Sequence, residues 1–252
     1  MLGTSRGERF GKPRPPRPLR QFLLRLLRLL AVLLLVYTLL SAFFLDSAEV
    51  GSVSMEPHTR VGDRLLTSPI VYGAYLPLFD GRVPGFRAPR RGEVVTVLPP
   101  YAEEPGFFRR VGIFLLEIPT GRRAGNALAP ETPWAAPTIR RVIAVPGDTI
   151  RMDDFTFYVR TEEGEPFVNE FELAARSYDV RIEELPAGWR DEDPFSGRME
   201  EISLGENEYF VAGDNRNLAL DSRDYGVVSG EAIRHVVLMR YWPLRDFGRL
   251  GP

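Results

Sequence analysis

The chain has no cysteine, which excludes disulfides and thiolate metal sites. Lysine is nearly missing as well: of 32 basic residues, Lys12 is the only lysine and the rest are arginine. No lysine side chain is therefore available after position 12 to serve as a proton acceptor or an amine nucleophile. With only two histidines, His58 and His235, a multi-histidine metal site is not expected, and no cofactor is predicted. Amphipathic helical periodicity is also scarce beyond residue 45, surviving only weakly in "NEFELAARSYDVRIEEL".

What remains is ordinary for a folded protein, with 44% hydrophobic and 26% charged residues in a chain of 252. The longest apolar run, Leu29 to Leu45, holds 17 residues without a charge. Residues 22–27 extend it if Arg25 and Arg28 snorkel, which predicts a transmembrane anchor over 22–45. The run is longer than a usual signal-peptide core, no small-x-small cleavage site follows, and no polar stripe marks it as a core helix. Residues 1–28 carry eight basic residues against Glu8, so residues 1–21 are expected to be a cytoplasmic basic tail. Residues 46–252 then form the exported domain, on the periplasmic or extracytoplasmic side of a single-pass inner-membrane protein. Beyond residue 28 there are 24 basic and 33 acidic residues, a formal charge of −9, which argues against a nucleic-acid partner.

The exported part reads as short strands. "RLLTSPIVYG", "RGEVVTVLPP", "TIRRVIAVPGDTIRM", "NEYFVAGDN" and "IRHVVLMRYW" are β-branched or aromatic runs bounded by glycine and proline. The expected fold class is mainly β, an antiparallel or partly coiled sheet. Residues 101–137 and 152–208 look like insertions, the second a small acidic lobe. Loops such as "VYGAYLPLF" are expected to touch the lipid bilayer.

Four stretches carry chemistry together: "SVSMEPHTRVGD" at 52–63, "RGEVVTV" at 91–97, "RRVIAVPGD" at 140–148 and "GDNRNLALDSRDYG" at 213–226. In this order, after an apolar segment, they resemble the conserved boxes of the type I signal peptidases. The resemblance implies a β catalytic core with a smaller inserted lobe and a serine endopeptidase that removes signal peptides from exported preproteins. Cleavage would follow small residues at the first and third positions before the bond, with the signal peptide bound as an extended strand. It also assigns Ser54 as nucleophile, with the Ser52 hydroxyl and the Ser54 N–H as oxyanion donors. Asp221 and Arg223 fall where the family has a supporting acid–arginine pair, and Arg141 at a structural position. Taken alone, Ser52 and Ser54 would be equally at home in a turn.

The resemblance breaks at the base. Bacterial members have lysine where this chain has Arg140, and often serine where it has Ala219, the partner that orients that lysine. Arginine is a donor-only side chain and holds its proton in proteins, so it cannot relieve a serine of its own. His58 is a possible substitute base if Asp221 orients it; a surface or capping role competes. His235 reads as an outward-facing strand residue. Two functions stay open: a signal peptidase with an unorthodox base or low activity, or a catalytically inactive relative that binds preproteins or partners an active paralogue.

Overall fold

The structure, a computed structural model, describes residues 19–74, 82–102, 137–174, 176–184 and 197–250. Most of the 101–137 insertion, the basic tail before residue 19 and the second half of "VYGAYLPLF" lie outside the described residues. The chain divides into two units, Met1–Thr38 and Leu39–Pro252. The first holds most of helix α1 (Leu19–Phe43), 25 residues long, with apolar side chains such as Leu23, Leu27, Leu30, Leu33 and Val36 exposed around its circumference. Among the described residues, no helix is long and apolar enough to cross a membrane.

The second unit is mainly β, built from two antiparallel sheets. The larger uses β1 (Asp46–Glu49), β2 (Arg64–Ser68), β3 (Val94–Val97), β4 (Thr138–Ala144), β9 (Glu208–Ala212), β10 (Val228–Ser229) and β11 (Ile233–Trp242). Their spatial order is β1-β2-β11-β3-β4-β9-β10. The smaller sheet joins β5 (Thr149–Asp153), β6 (Thr156–Arg160), β7 (Val168–Asn169) and β8 (Met199–Ser203) in the order β7-β6-β5-β8. It is inserted in sequence between β4 and β9, so the chain leaves the large sheet after Ala144 and returns at Glu208.

Strand periodicity explains how the sheets share the interior. Along β9, Tyr209 and Val211 enter one core cluster with Val95, Val97, Val142, Ile233 and Val236. The alternate residues Phe210 and Ala212 enter a second cluster with Ile143, Ile150, Phe157, Val159 and Leu204. Each β-branched or aromatic side chain buried this way contributes about 1.5–3 kcal/mol relative to exposure. Both faces of β4 and β9 are thus covered, which makes the strands beneath the site among the most rigid parts of the unit.

One turn carries the chain from the large sheet into the small one, and a second forms the first hairpin of the small sheet. After β4, Gly147 adopts φ +87°, and the buried Asp148 carboxylate accepts from the Val145 N–H at 2.8 Å and from Arg91 Nε at 2.8 Å. Between β5 and β6, Asp154 and Phe155 both take positive φ, the backbone of a two-residue hairpin matched to strand twist. The weak helical pattern after Asn169 yields only one turn, α2 (Glu170–Leu173), capped by the Asn169 side chain. Residues 176–184 run on without helix. Longer helix would compete with Tyr178, which is drawn into the core beside Glu170.

Candidate active site

Ser54 sits in a single 3₁₀ turn, Val53–Met55, that follows β1. Met55, only 1% exposed, pins the turn into the interior, and the Ser54 carbonyl accepts from the Asn215 N–H at 3.0 Å. That last bond ties the serine loop to the loop after β9. Gly213 lets them close: a Cβ there would lie 2.6 Å from the Ser54 carbonyl oxygen and 2.2 Å from Ala219 Cβ. Any side chain at 213 would therefore push Ser54 away from its neighbours.

Three of the sequence-predicted residues meet directly. Ser52 Oγ lies 2.9 Å from Ser54 Oγ, with Ser52 exposed and Ser54 buried. Arg140, brought in by β4, donates from Nη1 to Ser54 Oγ at 2.9 Å. Its other bonds fall on carbonyls: Nη1 to Ile139 at 2.6 Å, and Nη2 and Nε to Leu220 at 2.7 and 3.1 Å. The guanidinium is thus held by neutral acceptors, and no carboxylate of a described residue pairs with it. Ala219, 1% exposed, packs beside Gly213 and brings a methyl group and no hydroxyl to this loop.

Asp221 and Arg223 form a separate support. Asp221 caps the short helix α3 (Ser222–Tyr225) in a capping box with Asp224. Its carboxylate accepts from Arg223 Nε and Nη2, both at 2.8 Å, and from the Gly213 N–H at 2.9 Å. Burial pushes this carboxyl up, but the Arg223 charge and these hydrogen bonds outweigh it, leaving it below the usual carboxylate range. Every lone-pair direction is engaged, so Asp221 neither reaches nor orients His58.

His58 instead faces Asp214. Its Nδ1 is 3.3 Å from Asp214 Oδ2, an ion-pair distance without the alignment of a hydrogen bond. Asp214 is fully buried and receives a bidentate fork from Arg141, at 2.8 and 2.6 Å. Burial raises the Asp214 carboxyl, yet the Arg141 charge, its hydrogen bonds and the nearby His58 hold it below the ordinary range. The Ser-His-Asp arrangement that would have used Asp221 is therefore not formed. His235 is not simply outward-facing either: it is half-buried, with Nδ1 3.3 Å from Thr67 Oγ1 and 3.6 Å from Asp46 Oδ2.

A buried network that the sequence did not suggest lies behind these residues. The Arg141 guanidinium stacks 3.9 Å above the Tyr178 ring. The Tyr178 hydroxyl donates to Glu170 at 2.5 Å, and Glu170 also accepts from Arg216 at 2.6 Å and from the Phe157 N–H at 3.0 Å. Burial first, then the Glu170 charge, raises the Tyr178 phenol far above its normal value. Arg141, Asp214, Glu170 and Arg216 are all buried, so the loop after β9 that bonds the Ser54 carbonyl is clamped by compensated charges linking both sheets.

Comparison with known proteins bears on this geometry. The sequence model of the family described as "Signal peptidase, peptidase S26" matches residues 23–242. This chain belongs to the signal peptidase family. Among relatives, a probable signal peptidase I-1 of Synechocystis sp. is 27% identical over 218 residues, covering 86% of this chain and 82% of that protein. Signal peptidase IB of Staphylococcus aureus is 28% identical over 140 residues, 55% of this chain and 71% of that one. A signal peptidase I from Enterococcus faecalis V583 aligns in structure over 60% of this chain and 97% of that chain, with 16% identity and a TM-score of 0.32. As a signal peptidase family member, the chain brings its serine pair and Arg140 into hydrogen-bond contact, places Ala219 against the same loop, and leaves both histidines on other partners.

The chemistry available follows from hydrogen-bond polarity. Ser54 Oγ accepts from Arg140, and a guanidinium has no lone pair to take the serine proton in return. The Ser52 hydroxyl and the Ser54 N–H are hydrogen-bond donors at this position, and among the described residues no carboxylate, imidazole or amine is in hydrogen-bond contact with Ser54 Oγ.

Proposed function

We propose that the chain is a membrane-anchored signal peptidase I-type serine endopeptidase that recognises exported preproteins and hydrolyses them slowly. Ser54 is the nucleophile, Ser52 and the Ser54 N–H bind the oxyanion, Asp221 and Arg223 support the loop, and Arg141 clamps it. Arg140 at the base position limits the rate. The observation that carries this reading is the 2.9 Å contact in which Arg140 donates to the nucleophile. Loss of a triad member in a serine protease still leaves roughly 10³–10⁴-fold catalysis over water from binding and oxyanion contacts.

The preprotein enters as an extended strand. Thr138–Arg140 pair with β3 on one side, whereas β9 pairs with β4 only from Arg141 onward, so the edge beside Ser54 has no described strand on it. Residues 22–45 anchor the chain in the lipid bilayer, residues 1–21 are a cytoplasmic basic tail, and 46–252 form the exported domain with its lobe near 152–208. Leucine and valine exposed on every side of α1 support the anchor, since such a surface is stable only against lipid or protein.

The same Arg140 contact favours a second reading, a catalytically inactive receptor that hands signal peptides to an active partner. A cleavage assay on a preprotein in detergent decides between them. Slow cutting after small residues, abolished in Ser54→Ala, is the expected outcome. Binding without any cutting supports the receptor, and cutting that survives Ser54→Ala removes Ser54 from the mechanism.

A further inference from the structure

Buried cations are costly unless an anion faces them. Of the three buried arginines among the described residues, Arg141 faces Asp214 and Arg216 faces Glu170, each with a charge-assisted bond of 2.6 Å. Arg140, 4% exposed, has no such partner among the described residues. Its bonds go to Ser54 Oγ and to two peptide carbonyls, which use four of its five N–H groups. Asp224, whose carboxyl feels the Arg140 charge, spends its carboxylate on the Asp221 N–H at 2.9 Å.

Beyond the acceptors it already bonds, donors also stand around this cation. Ser52 and Ser54 share one hydrogen bond, so whichever hydroxyl donates, the other keeps a proton directed elsewhere. No described residue accepts from the Ser54 N–H. The buried Tyr225 hydroxyl has no partner among the described residues and feels the Arg140 charge. A buried cation without a counter-charge and with spare donors beside it is complementary to a carboxylate and mismatched to a neutral peptide bond.

We propose that the Ser52–Ser54–Arg140 cluster binds the free α-carboxylate of a peptide chain that ends at the cleavage position, so that a released signal peptide is held more tightly than an uncut chain. This rests on the signal-peptide reading of the groove and deepens it. Arginine in place of an amine base converts a site that would take a proton into one that holds a negative charge. The unpaired edge of Thr138–Arg140 supplies the strand partner that distinguishes a peptide terminus from a small anion.

The test uses the full chain in neutral detergent and two fluorescent peptides of one signal-peptide sequence, both ending in Ala-x-Ala. One carries a free carboxylate and the other a carboxamide. The carboxylate form is expected to bind at least tenfold more tightly. Arg140→Gln should abolish the ratio, and Arg140→Lys should keep a preference, which separates charge from misfolding. N-acetylalanine should displace the peptide better than inorganic phosphate. Equal affinity for both peptides, a ratio that persists in Arg140→Gln, or displacement by phosphate as effective as by N-acetylalanine overturns the inference and leaves the signal-peptide reading standing. Binding of neither peptide removes both.

Discussion

Replacing Asp214 by asparagine keeps the side-chain shape and removes the charge that faces Arg141. Asp214 is fully buried and takes two bonds from the Arg141 fork, at 2.8 and 2.6 Å, so solvent cannot substitute for it. Breaking one side of such a buried pair costs about 3–5 kcal/mol, because the remaining charge is left uncompensated. For a unit of this size each kcal/mol moves the melting temperature by about 2–4 °C, so the fall at neutral pH is roughly 6–20 °C. The effect depends on pH in a definite direction. The Asp214 carboxyl titrates lower in the folded protein than in the unfolded chain. Its contribution is therefore complete above the unfolded value of about 3.9 and is lost as the pH drops through the lower folded value. Thermal unfolding of the full chain in detergent, followed by near-ultraviolet circular dichroism from pH 7 downward, should show a wide gap that narrows at acid pH. A gap below about 2 °C at pH 7, or one that widens toward acid, would refute the argument that this buried pair clamps the loop.

Gly213→Ala places a methyl group 2.2 Å from Ala219 Cβ and 2.6 Å from the Ser54 carbonyl, contacts that force the serine loop to move. Overpacking of this kind costs about 1–3 kcal/mol, and denaturant midpoints should fall together with signal-peptide affinity; unchanged values in both would show that the loop junction has slack. Glu170→Gln strips the counter-charge from the fully buried Arg216 and should lower stability by about 3–5 kcal/mol in urea unfolding. In a double-mutant cycle with Asp214→Asn the losses should be non-additive, because Arg141 stacks on Tyr178 and Tyr178 bonds Glu170; strict additivity would mean two independent clamps.

Much of the large sheet was legible because its strands are runs of β-branched residues closed by glycine and proline. "VVTV" became β3 with all four residues buried, and the Pro-Gly-Asp turn became the exit from β4. Short strands such as Val168–Asn169 and Val228–Ser229 carry too few residues to show alternation, and only pairing with a long neighbour defines them. At the site, the resemblance to the type I signal peptidases singled out Ser52, Ser54 and Arg140, and these three side chains do meet. The partner of His58 was not legible: Asp221 and Asp214 are both acids in one box, and the helix-capping role of Asp221 excludes it only once α3 is seen. The Tyr178–Glu170–Arg216 network escaped notice because its members are polar residues far apart in sequence, and a buried ion pair leaves no periodic signature.

The central claim is that Arg140 leaves Ser54 without a proton acceptor. Single-turnover cleavage of a preprotein by the wild type and by the double variant Arg140→Lys with Ala219→Ser tests it most directly. A positioned base adds about 10²–10⁴-fold to such a step, and the double variant should be faster by at least a hundredfold of that range, with the gain lost when Ser54→Ala is added. A wild type that already cleaves as fast as the double variant would contradict the claim.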